Sequence, residues 1–433
     1  MKTVRVVGGG LAGTEAAYQL LKRGFGVELY EMRPTRMTPA HKTGELAELV
    51  CSNSLKSTDV GTAQGLLKKE MSMLGAMITE CASRAAVPAG GALAVDREAF
   101  SREVERTLSE FDNFRLLREE VTEITPDTVI ATGPLTSDKL YEAIDGYTGG
   151  GRLHFYDAVA PIVSLDSVDM SKAFYSSRYG KGSADYLNCP MSREEYEVFV
   201  GELVGAERVI LRDFEKGDVF EGCMPVEVMA ARGADALRFG PLRPVGIRDG
   251  EGNRFYAVVQ LRAEDREGRL ANIVGFQTNL TFPEQRRVFG LIPALRDAEF
   301  VRYGVMHRNT FLNAPGLLDE SFMLKGSNGV YFAGQMTGVE GYMESAMSGM
   351  IAGISLARRL LGKPPITLPA TTMCGSLAKY VAEYPGEYQP MHVSFALVPP
   401  LEANVKGKKE RKLAYAERAI ADLGDYLEEI KEV

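Results

Sequence analysis

Three features of the 433-residue sequence predict an α/β fold with a parallel β-sheet. The first thirty residues follow the order strand, glycine-rich turn, helix and strand, which is a βαβ unit. Similar elements return later in the chain. A strand runs into a tight turn at residues 128–134, and a strand, a turn and a long helix follow from residue 330 onward. Glycine supplies 45 residues, about one in ten against a usual ~7%, as glycine-rich α/β proteins do.

The individual elements follow from hydrophobic periodicity and from helix-stop signals. The sequence predicts strands at 4–7, 27–31, 256–261, 272–276 and 330–334, and helices at 14–23, 66–81, 99–111, 345–361 and 406–433. Short β-like runs and Gly/Pro loops characterise the middle of the chain. We therefore expect an inserted α/β domain of residues 156–306 within a first domain made of 1–155 and 307–433, the latter ending in a helical tail.

The composition excludes several classes of protein. Hydrophobic residues make up 45% and charged residues 25%, which is globular and excludes disordered, collagen-like and coiled-coil chains. The net charge of −8 argues against a nucleic-acid partner when taken alone, although a local basic patch remains compatible with it. The five Cys and four His are scattered without metal-ligand spacing, so neither a disulfide scaffold nor a metal site is expected.

The cellular location is expected to be the cytoplasm. The chain opens directly with a core strand rather than with a signal peptide, and it has no run of about 18 apolar residues that could span a membrane.

Gly8, Gly10 and Gly13 fit the GxGxxG dinucleotide fingerprint. The first glycine permits a tight turn, the second lets the backbone approach a pyrophosphate, and the third lets helix and strand pack closely. Glu31 ends the next strand 18 residues after Gly13, where a carboxylate accepts from ribose hydroxyls and disfavours a 2′-phosphate. Strand, helix and terminal acid together predict a Rossmann-like dinucleotide site, to which we also assign Arg33.

Two distant segments favour FAD over NAD at this site. Residues 130–133, with Thr132 and Gly133, resemble the second glycine motif of two-dinucleotide flavoproteins. Residues 330–335 resemble their C-terminal flavin motif, with Gly334 followed by Gln335 where an Asp is common. We therefore expect FAD to be bound by the glycine turn, by Thr132 and Gly133, and by Gly334 and Gln335.

The cysteines divide by sequence context. Cys81 and Cys374 fit buried apolar thiols, and Cys189 leans the same way. Cys51 and Cys223 lie instead in polar, loop-like segments of the kind that often carry chemistry, and Lys56 is placed to help hold a Cys51 thiolate.

At this point the sequence closely resembles the TrmFO family, the folate- and FAD-dependent tRNA (uracil-5-)-methyltransferases. The matching segments are ELVCSNS at 48–54, FGPLRPVG at 239–246, VGFQTNL at 274–280, HRNTF at 307–311 and GVEGYMES at 338–345. Gln335 in place of Asp is usual in this family and in its larger GidA/MnmG relatives. Those relatives carry a long extra C-terminal region that this chain lacks.

The resemblance implies methylation of carbon 5 of a T-loop uridine in tRNA. In that family 5,10-methylenetetrahydrofolate supplies the carbon, FAD supplies the reducing hydride, and NADPH or NADH recharges the flavin. Cys51 and Cys223 fall in the two Cys motifs. We expect Cys223 to attack carbon 6 and Cys51 to lie near the flavin as base or methylene acceptor, although the reverse partition is open. Tyr342, in the GVEGYMES segment, is a further residue that could face a stacked pterin and flavin.

A tRNA substrate requires a local basic face on this acidic chain. One candidate cluster is Lys406, Lys408, Lys409, Arg411 and Lys412 in the tail, and another is Arg33, Arg36, Lys42 and Lys56 near the Cys51 loop. Three alternatives remain: the same chemistry on a ribosomal RNA uridine, an FAD- and NAD(P)H-dependent thiol oxidoreductase, and a non-catalytic flavin- or RNA-binding protein.

Overall fold

The computed structural model describes residues 2–150, 152–158, 160–180, 184–209, 224–265, 267–304 and 306–432. Its strands are β1 Thr3–Val7, β2 Gly26–Tyr30, β3 Ser54–Ser57, β4 Ala86–Val87, β5 Ala92–Val95, β6 Phe114–Leu117, β7 Thr128–Ile130, β8 Arg152–Ala158, β9 Ile162–Ser164, β10 Phe174–Ser176, β11 Tyr186–Met191, β12 Ala257–Ala263, β13 Leu270–Ile273, β14 Phe300–Arg302, β15 Met306–Leu312 and β16 Val330–Phe332. Its helices are α1 Leu11–Lys22, α2 Ala63–Met73, α3 Met77–Arg84, α4 Arg97–Ser109, α5 Asp138–Thr148, α6 Arg193–Gly205, α7 Val226–Ala231, α8 Ala236–Phe239, α9 Phe282–Phe289, α10 Tyr342–Leu360, α11 Met373–Glu383 and α12 Lys408–Glu432.

A five-stranded parallel sheet is built from both ends of the chain. Its order is β16-β7-β1-β2-β6, and every neighbouring pair runs parallel. Strands β7 and β16 are wholly buried, and β1 buries Val4, Val6 and Val7, as expected for a parallel sheet with both faces covered. The predicted Rossmann-like α/β architecture is therefore confirmed, with β16 joining the sheet some 200 residues after β7.

Helices α1 and α10 cross this sheet in unusually close contact. Gly349 and Gly353 of α10 face the backbone of α1, and a Cβ at Gly349 would overlap the carbonyl oxygen of Ala12. A Cβ at Gly353 would lie 2.7 Å from the carbonyl oxygen of Ala16. Both predicted helices begin three residues earlier than expected, because Gly10 and Gly341 act as their N-caps.

The middle of the chain forms a second sheet. Six strands follow the order β10-β11-β12-β13-β9-β14, and all pairs are antiparallel. Helix α6 begins with a capping box between Ser192 and Glu195, and it packs with α7 and α9 beside this sheet. A separate ribbon of β8 paired with β15 contains the expected domain boundaries near residues 155 and 306.

The predicted helix over 66–81 is two helices, because Gly75 adopts a φ of +76° and ends the first one. Two buried carboxylates accept hydrogen bonds from the backbone N–H groups at the starts of α3 and α11. Glu15 accepts hydrogen bonds from the backbone N–H groups of Met77 and Ile78, and Glu70 does the same for Met373 and Cys374. Among the described residues, no helix combines the length and the apolarity that crossing a membrane requires.

The α1–α10 contact yields a prediction about stability. Gly349→Ala should lower the free energy of unfolding by about 1–3 kcal/mol or more, because the helices must separate to admit the methyl group. Gly201→Ala is the matched control, since Gly201 is exposed in α6 and an added Cβ meets nothing within 4 Å. That control should be neutral or slightly stabilising. Equal denaturation midpoints for the two variants would contradict the prediction.

Candidate active site

A cavity of about 950 Å³ lies where β1, β7 and β16 end, at the N-terminus of α1. Gly8 has a φ of +105°, and a Cβ there would overlap the carbonyl group of Ala131. A Cβ at Gly10 would meet nothing within 4 Å, because Gly10 lines the cavity. No side chain caps α1, so its first N–H groups are available to an anion.

Glu31 supplies the acidic wall of this cavity. Its carboxylate accepts from the Gly9 N–H at 2.8 Å and from the Arg33 Nε at 3.0 Å. Burial alone raises the pKa of Glu31, but the hydrogen bonds and charge of Arg33 outweigh it and hold that pKa below its ordinary value. The group is therefore a carboxylate at neutral pH, suited to accept from ribose hydroxyls.

The remaining predicted cofactor residues lie on the same cavity, apart from Gly13, which packs against the carbonyl of Gly8. Thr132 and Gly133 follow β7, and Gly334 and Gln335 follow β16. The Gln335 amide nitrogen donates to Glu340 at 2.7 Å. The amide oxygen is then the atom of this side chain that can accept from a ribitol hydroxyl. Glycine turn, helix N-terminus, carboxylate and amide acceptor together fit FAD.

A second cavity of about 1130 Å³ adjoins the first one. The two share the wall residues Val50, Gln335, Tyr342 and Ser345. Beyond that wall, the second cavity is lined by the thiol of Cys51, by Gln277 and by the basic side chains of Lys56, Lys68 and His392. The thiol of Cys51 therefore lies beside the cradle for the dinucleotide.

Tyr342 orients Cys51. The Tyr342 hydroxyl oxygen accepts from the backbone N–H groups of Cys51 and Ser52, at 2.9 and 3.2 Å. Since these bonds use both lone pairs, the hydroxyl proton is left to donate, and the Cys51 sulfur lies 3.1 Å away. Burial, and then the charge of Cys51, raise the pKa of Tyr342 well above its ordinary value, so the hydroxyl keeps its proton. The sulfur is thus held as an acceptor, the arrangement that suits a thiolate.

Three arginines fix the loop that carries Cys51. Arg97 donates to the carbonyl oxygens of Leu49 and Cys51, and Arg302 donates to that of Val50. Arg262 bonds the Asn53 side chain at 3.0 Å and the Ser52 hydroxyl at 2.8 Å. Arg262 and Arg302 belong to the antiparallel sheet, so this sheet positions a loop of the dinucleotide-binding part.

Lys56 pairs with Glu344 at 3.7 Å, and the guanidinium charges that interact with Cys51 are those of Arg97 and Arg302. The expectation that Lys56 helps to hold the thiolate stays a prediction. Arg33 is 2% exposed and ion-paired to Glu31 and Glu48, so its expected place on a basic surface is wrong.

The other described cysteines are buried thiols. Burial raises the pKa of Cys81 to about 11 and that of Cys189 to about 12, and it raises the pKa of Cys374 well above the usual range. Cys223 lies outside the described residues. Its neighbour Val226 donates a backbone hydrogen bond to the carbonyl of Gln277, which lines the second cavity.

The basic tail cluster lies at the start of α12, with four of its five residues exposed and Lys412 half-buried. Helix α12 packs beside α2, whose Gln64 and Lys68 line the second cavity. Within the described ranges, His, Cys, Asp and Glu side chains nowhere form a group of three that could hold a metal ion.

Sequence reasoning missed the three arginines and left Tyr342 without an assigned role. The only local signal was the position of Tyr342 directly after Gly341, in a glycine-rich helix start. The arginines carry no local signal, because each acts through a loop that is distant in the sequence.

Comparisons with known proteins find chains of similar sequence and similar fold. A family model described as "Glucose inhibited division protein A" matches residues 3–364. The methylenetetrahydrofolate–tRNA-(uracil-5-)-methyltransferase TrmFO of Natranaerobius thermophilus is 56% identical over 98% of both chains, and that of Desulfitobacterium hafniense is 54% identical over 98% of both. The crystal structure of Aquifex aeolicus GidA matches the fold with a TM-score of 0.70 at 15% identity, over 100% of this chain and 76% of that one.

The hydrogen bonding of Tyr342 yields a prediction about Cys51. Tyr342→Phe should slow alkylation of Cys51 by iodoacetamide at pH 7 by about tenfold, because a hydrogen bond to a charged acceptor contributes roughly 1.5–3 kcal/mol. Peptide-resolved mass spectrometry measures this rate. Tyr147→Phe, at an exposed position of α5, is the control and should leave it unchanged. The same alkylation rate in both variants would rule out the assigned hydrogen bond.

Proposed function

The chain belongs to the TrmFO family of methylenetetrahydrofolate–tRNA-(uracil-5-)-methyltransferases, and we propose that it methylates carbon 5 of a T-loop uridine in tRNA with 5,10-methylenetetrahydrofolate as carbon donor. The observation that carries this proposal is the position of Cys51, on a cavity that shares a wall with the FAD cradle. Such a site can bring a thiol, a flavin, a folate and a base together.

The reaction sets out what the chain must supply. Carbon 5 of uracil is a weak nucleophile, and addition of a thiolate to carbon 6 activates it toward a one-carbon electrophile. A base must then remove the carbon-5 proton. Bound FAD supplies the hydride that reduces the transferred carbon to a methyl group, with NADPH or NADH as the source of electrons.

We assign the flavin-side role to Cys51, as base or methylene acceptor. Its contact with Tyr342 supports this role, because Tyr342 lines the FAD cradle and the second cavity at once. The hydroxyl donor and the nearby charges of Arg97 and Arg302 favour a sulfur that carries negative charge between proton transfers.

We assign attack at carbon 6 to Cys223. The support is indirect: Gln277 lines the cavity of Cys51, and the start of α7, a few residues after Cys223, is bonded to Gln277. With this division of roles, one thiol holds the uracil ring while the other serves the carbon transfer.

Folate carries carboxylates and RNA carries phosphates, and we propose that the ammonium group of Lys68 attracts them in the second cavity. Lys56 lines this cavity too but pairs with Glu344, and Glu340 and Glu344 are its acidic lining residues. The target uridine must leave its stack to reach this cavity. The basic tail cluster is proposed to contact the tRNA backbone, because α12 packs beside α2, which lines the cavity. Lys406 lies just before α12, and Lys408, Lys409, Arg411 and Lys412 lie in its first turns. We propose the cytoplasm as the location of the protein, since its tRNA substrate is found there.

The decisive assay supplies labelled 5,10-methylenetetrahydrofolate, FAD and NADPH to unmodified tRNA and, separately, to ribosomal RNA. We expect label at carbon 5 of a T-loop uridine, and none when S-adenosylmethionine replaces the folate. Label in ribosomal RNA alone would overturn the assigned substrate. Transfer to neither RNA, with NADPH oxidation coupled to a disulfide substrate, would favour a thiol oxidoreductase.

The same assay tests the two cysteines. Cys51→Ala and Cys223→Ala should each abolish turnover, whereas Cys189→Ala, at a buried thiol of β11, should retain it if the variant folds. Full activity in either of the first two variants would remove its assigned role.

Lys68 gives a prediction for pH dependence. Burial lowers the pKa of Lys68 to about 8, so its ammonium is charged at pH 7 and largely neutral at pH 9. The KM for methylenetetrahydrofolate should therefore rise about fivefold between these pH values, as an attraction of roughly 1 kcal/mol is lost. Lys68→Arg should flatten the rise, because arginine stays charged. Lys69→Arg, at the exposed neighbouring position, is the control, and a wild-type profile in both variants would contradict the role of Lys68.

A further inference from the structure

A groove on the antiparallel sheet, remote from both cavities, combines exposed aromatic rings with arginines. It is lined by residues 175–177, 179, 180 and 184 and by residues 244–250, 254 and 255. We call this the aromatic–arginine groove. None of its residues has a role in the site described above.

The groove leaves apolar surface open to water. Tyr179 is 59% exposed, Tyr175 is 52% exposed and Val245 is 51% exposed. Phe239, which ends the helix leading into the 244–250 loop, is 83% exposed. Single exposed apolar residues need no explanation, but a cluster of this kind marks a binding surface.

Tyr179 is held in place rather than left free. Its φ of +60° lies in the left-handed region, which is unfavourable for a bulky residue. Its N–H donates to the carbonyl of Gly246 at 2.6 Å, and a Cβ at Gly246 would lie 2.7 Å from the Tyr179 ring. The ring therefore lies flat over a glycine, where only a residue without a side chain permits it. A fixed, exposed aromatic ring is what base stacking requires.

The charge of the groove is positive on a chain of net charge −8. Arg248 and Arg254 line the groove and are exposed, as is Arg243 next to Pro244, and within the described residues none of the three forms an ion pair with a carboxylate. Arg178 donates to the carbonyl oxygens of Arg243 and Val245, and this fixes the loop from below. The carboxylate of Asp249 is occupied by the backbone and side chain of its own turn. The exposed guanidinium groups are thus left for an external anion.

The groove lies a short distance from the second cavity, because neighbouring residues connect the two. Gln277 lines that cavity, and Gly275, two residues earlier, packs against Pro241, with a Cβ there overlapping the proline ring. Pro244 of the groove is three residues from Pro241. At no more than ~3.6 Å per residue, the groove begins within roughly 20–25 Å of the cavity. An RNA whose reacting base occupies the cavity can reach the groove with a neighbouring part of its fold.

We propose that the aromatic–arginine groove is a second docking surface for tRNA, in which the arginines contact phosphates and Tyr179 stacks on an unpaired base. The inference rests on the proposed tRNA substrate. An anionic, base-bearing ligand fits better than a protein partner, because the exposed arginines lack carboxylate partners and stand next to a fixed ring.

The test measures tRNA affinity by filter binding across a salt series. Arg248→Glu/Arg254→Glu should weaken binding at least tenfold at 0.1 M salt and reduce the slope of log affinity against log salt by about 1.5, as two phosphate contacts are lost. Tyr179→Ala should weaken binding about tenfold at every salt concentration, since stacking does not release counterions. Tyr179→Phe keeps the ring and should bind normally.

Arg286→Glu/Arg296→Glu is the matched control, since both residues are exposed in the same part of the chain and line neither the groove nor the cavity. Flavin content and melting temperature verify that each variant is folded. Wild-type affinity and salt slope in both groove variants would overturn the proposal and leave the groove to a protein partner. Binding is measured without turnover, so a chain that binds tRNA through the groove yet transfers no methyl group would contradict the proposed function alone.

Discussion

The hydroxyl group of Tyr342 is the contact on which the arrangement of the site depends. Because its oxygen accepts two backbone N–H groups of the Cys51 loop, its single proton has the Cys51 sulfur as its partner. The residue stands at the first position of α10, the helix whose glycines pack against α1. The close helix pair therefore fixes where α10 begins, and with it the position of Tyr342. Tyr342 in turn fixes the position of the Cys51 thiol relative to the FAD cradle.

The second constraint comes from the antiparallel sheet. Arg262 of β12 and Arg302 of β14 reach out of that sheet to bond the segment from Val50 to Asn53. Guanidinium groups suit this task, because their fixed fork binds several acceptors at once and stays charged when partly buried. The loop thus belongs to both parts of the molecule, and a displacement of the sheet would move Cys51 with it.

The features that the sequence predicts are those whose causes lie within a few residues. Gly8 needs a positive φ and Glu31 directly follows β2, so their expected roles follow from nearby residues. Tyr342 and Cys51 are 291 residues apart, and Arg302 and Val50 are 252 apart, so no periodicity links them. The resemblance to TrmFO named the two cysteines. Only the fold could show that Lys56 pairs with Glu344 and that the charges of Arg97 and Arg302 act on Cys51.

The distribution of charge on the surface is also hard to predict from the sequence. A cluster of basic residues in the sequence predicts a basic surface that includes Arg33, yet the Arg33 guanidinium is buried between Glu31 and Glu48 beside the cofactor cavity. Arg248 and Arg254 belong to no cluster of basic residues in the sequence, yet they are exposed without carboxylate partners among the described residues. An RNA-binding surface depends on charges that remain unneutralised in the fold, which neither net charge nor clustering in the sequence reveals. An acidic chain can therefore present arginines to RNA where its carboxylates are already engaged elsewhere.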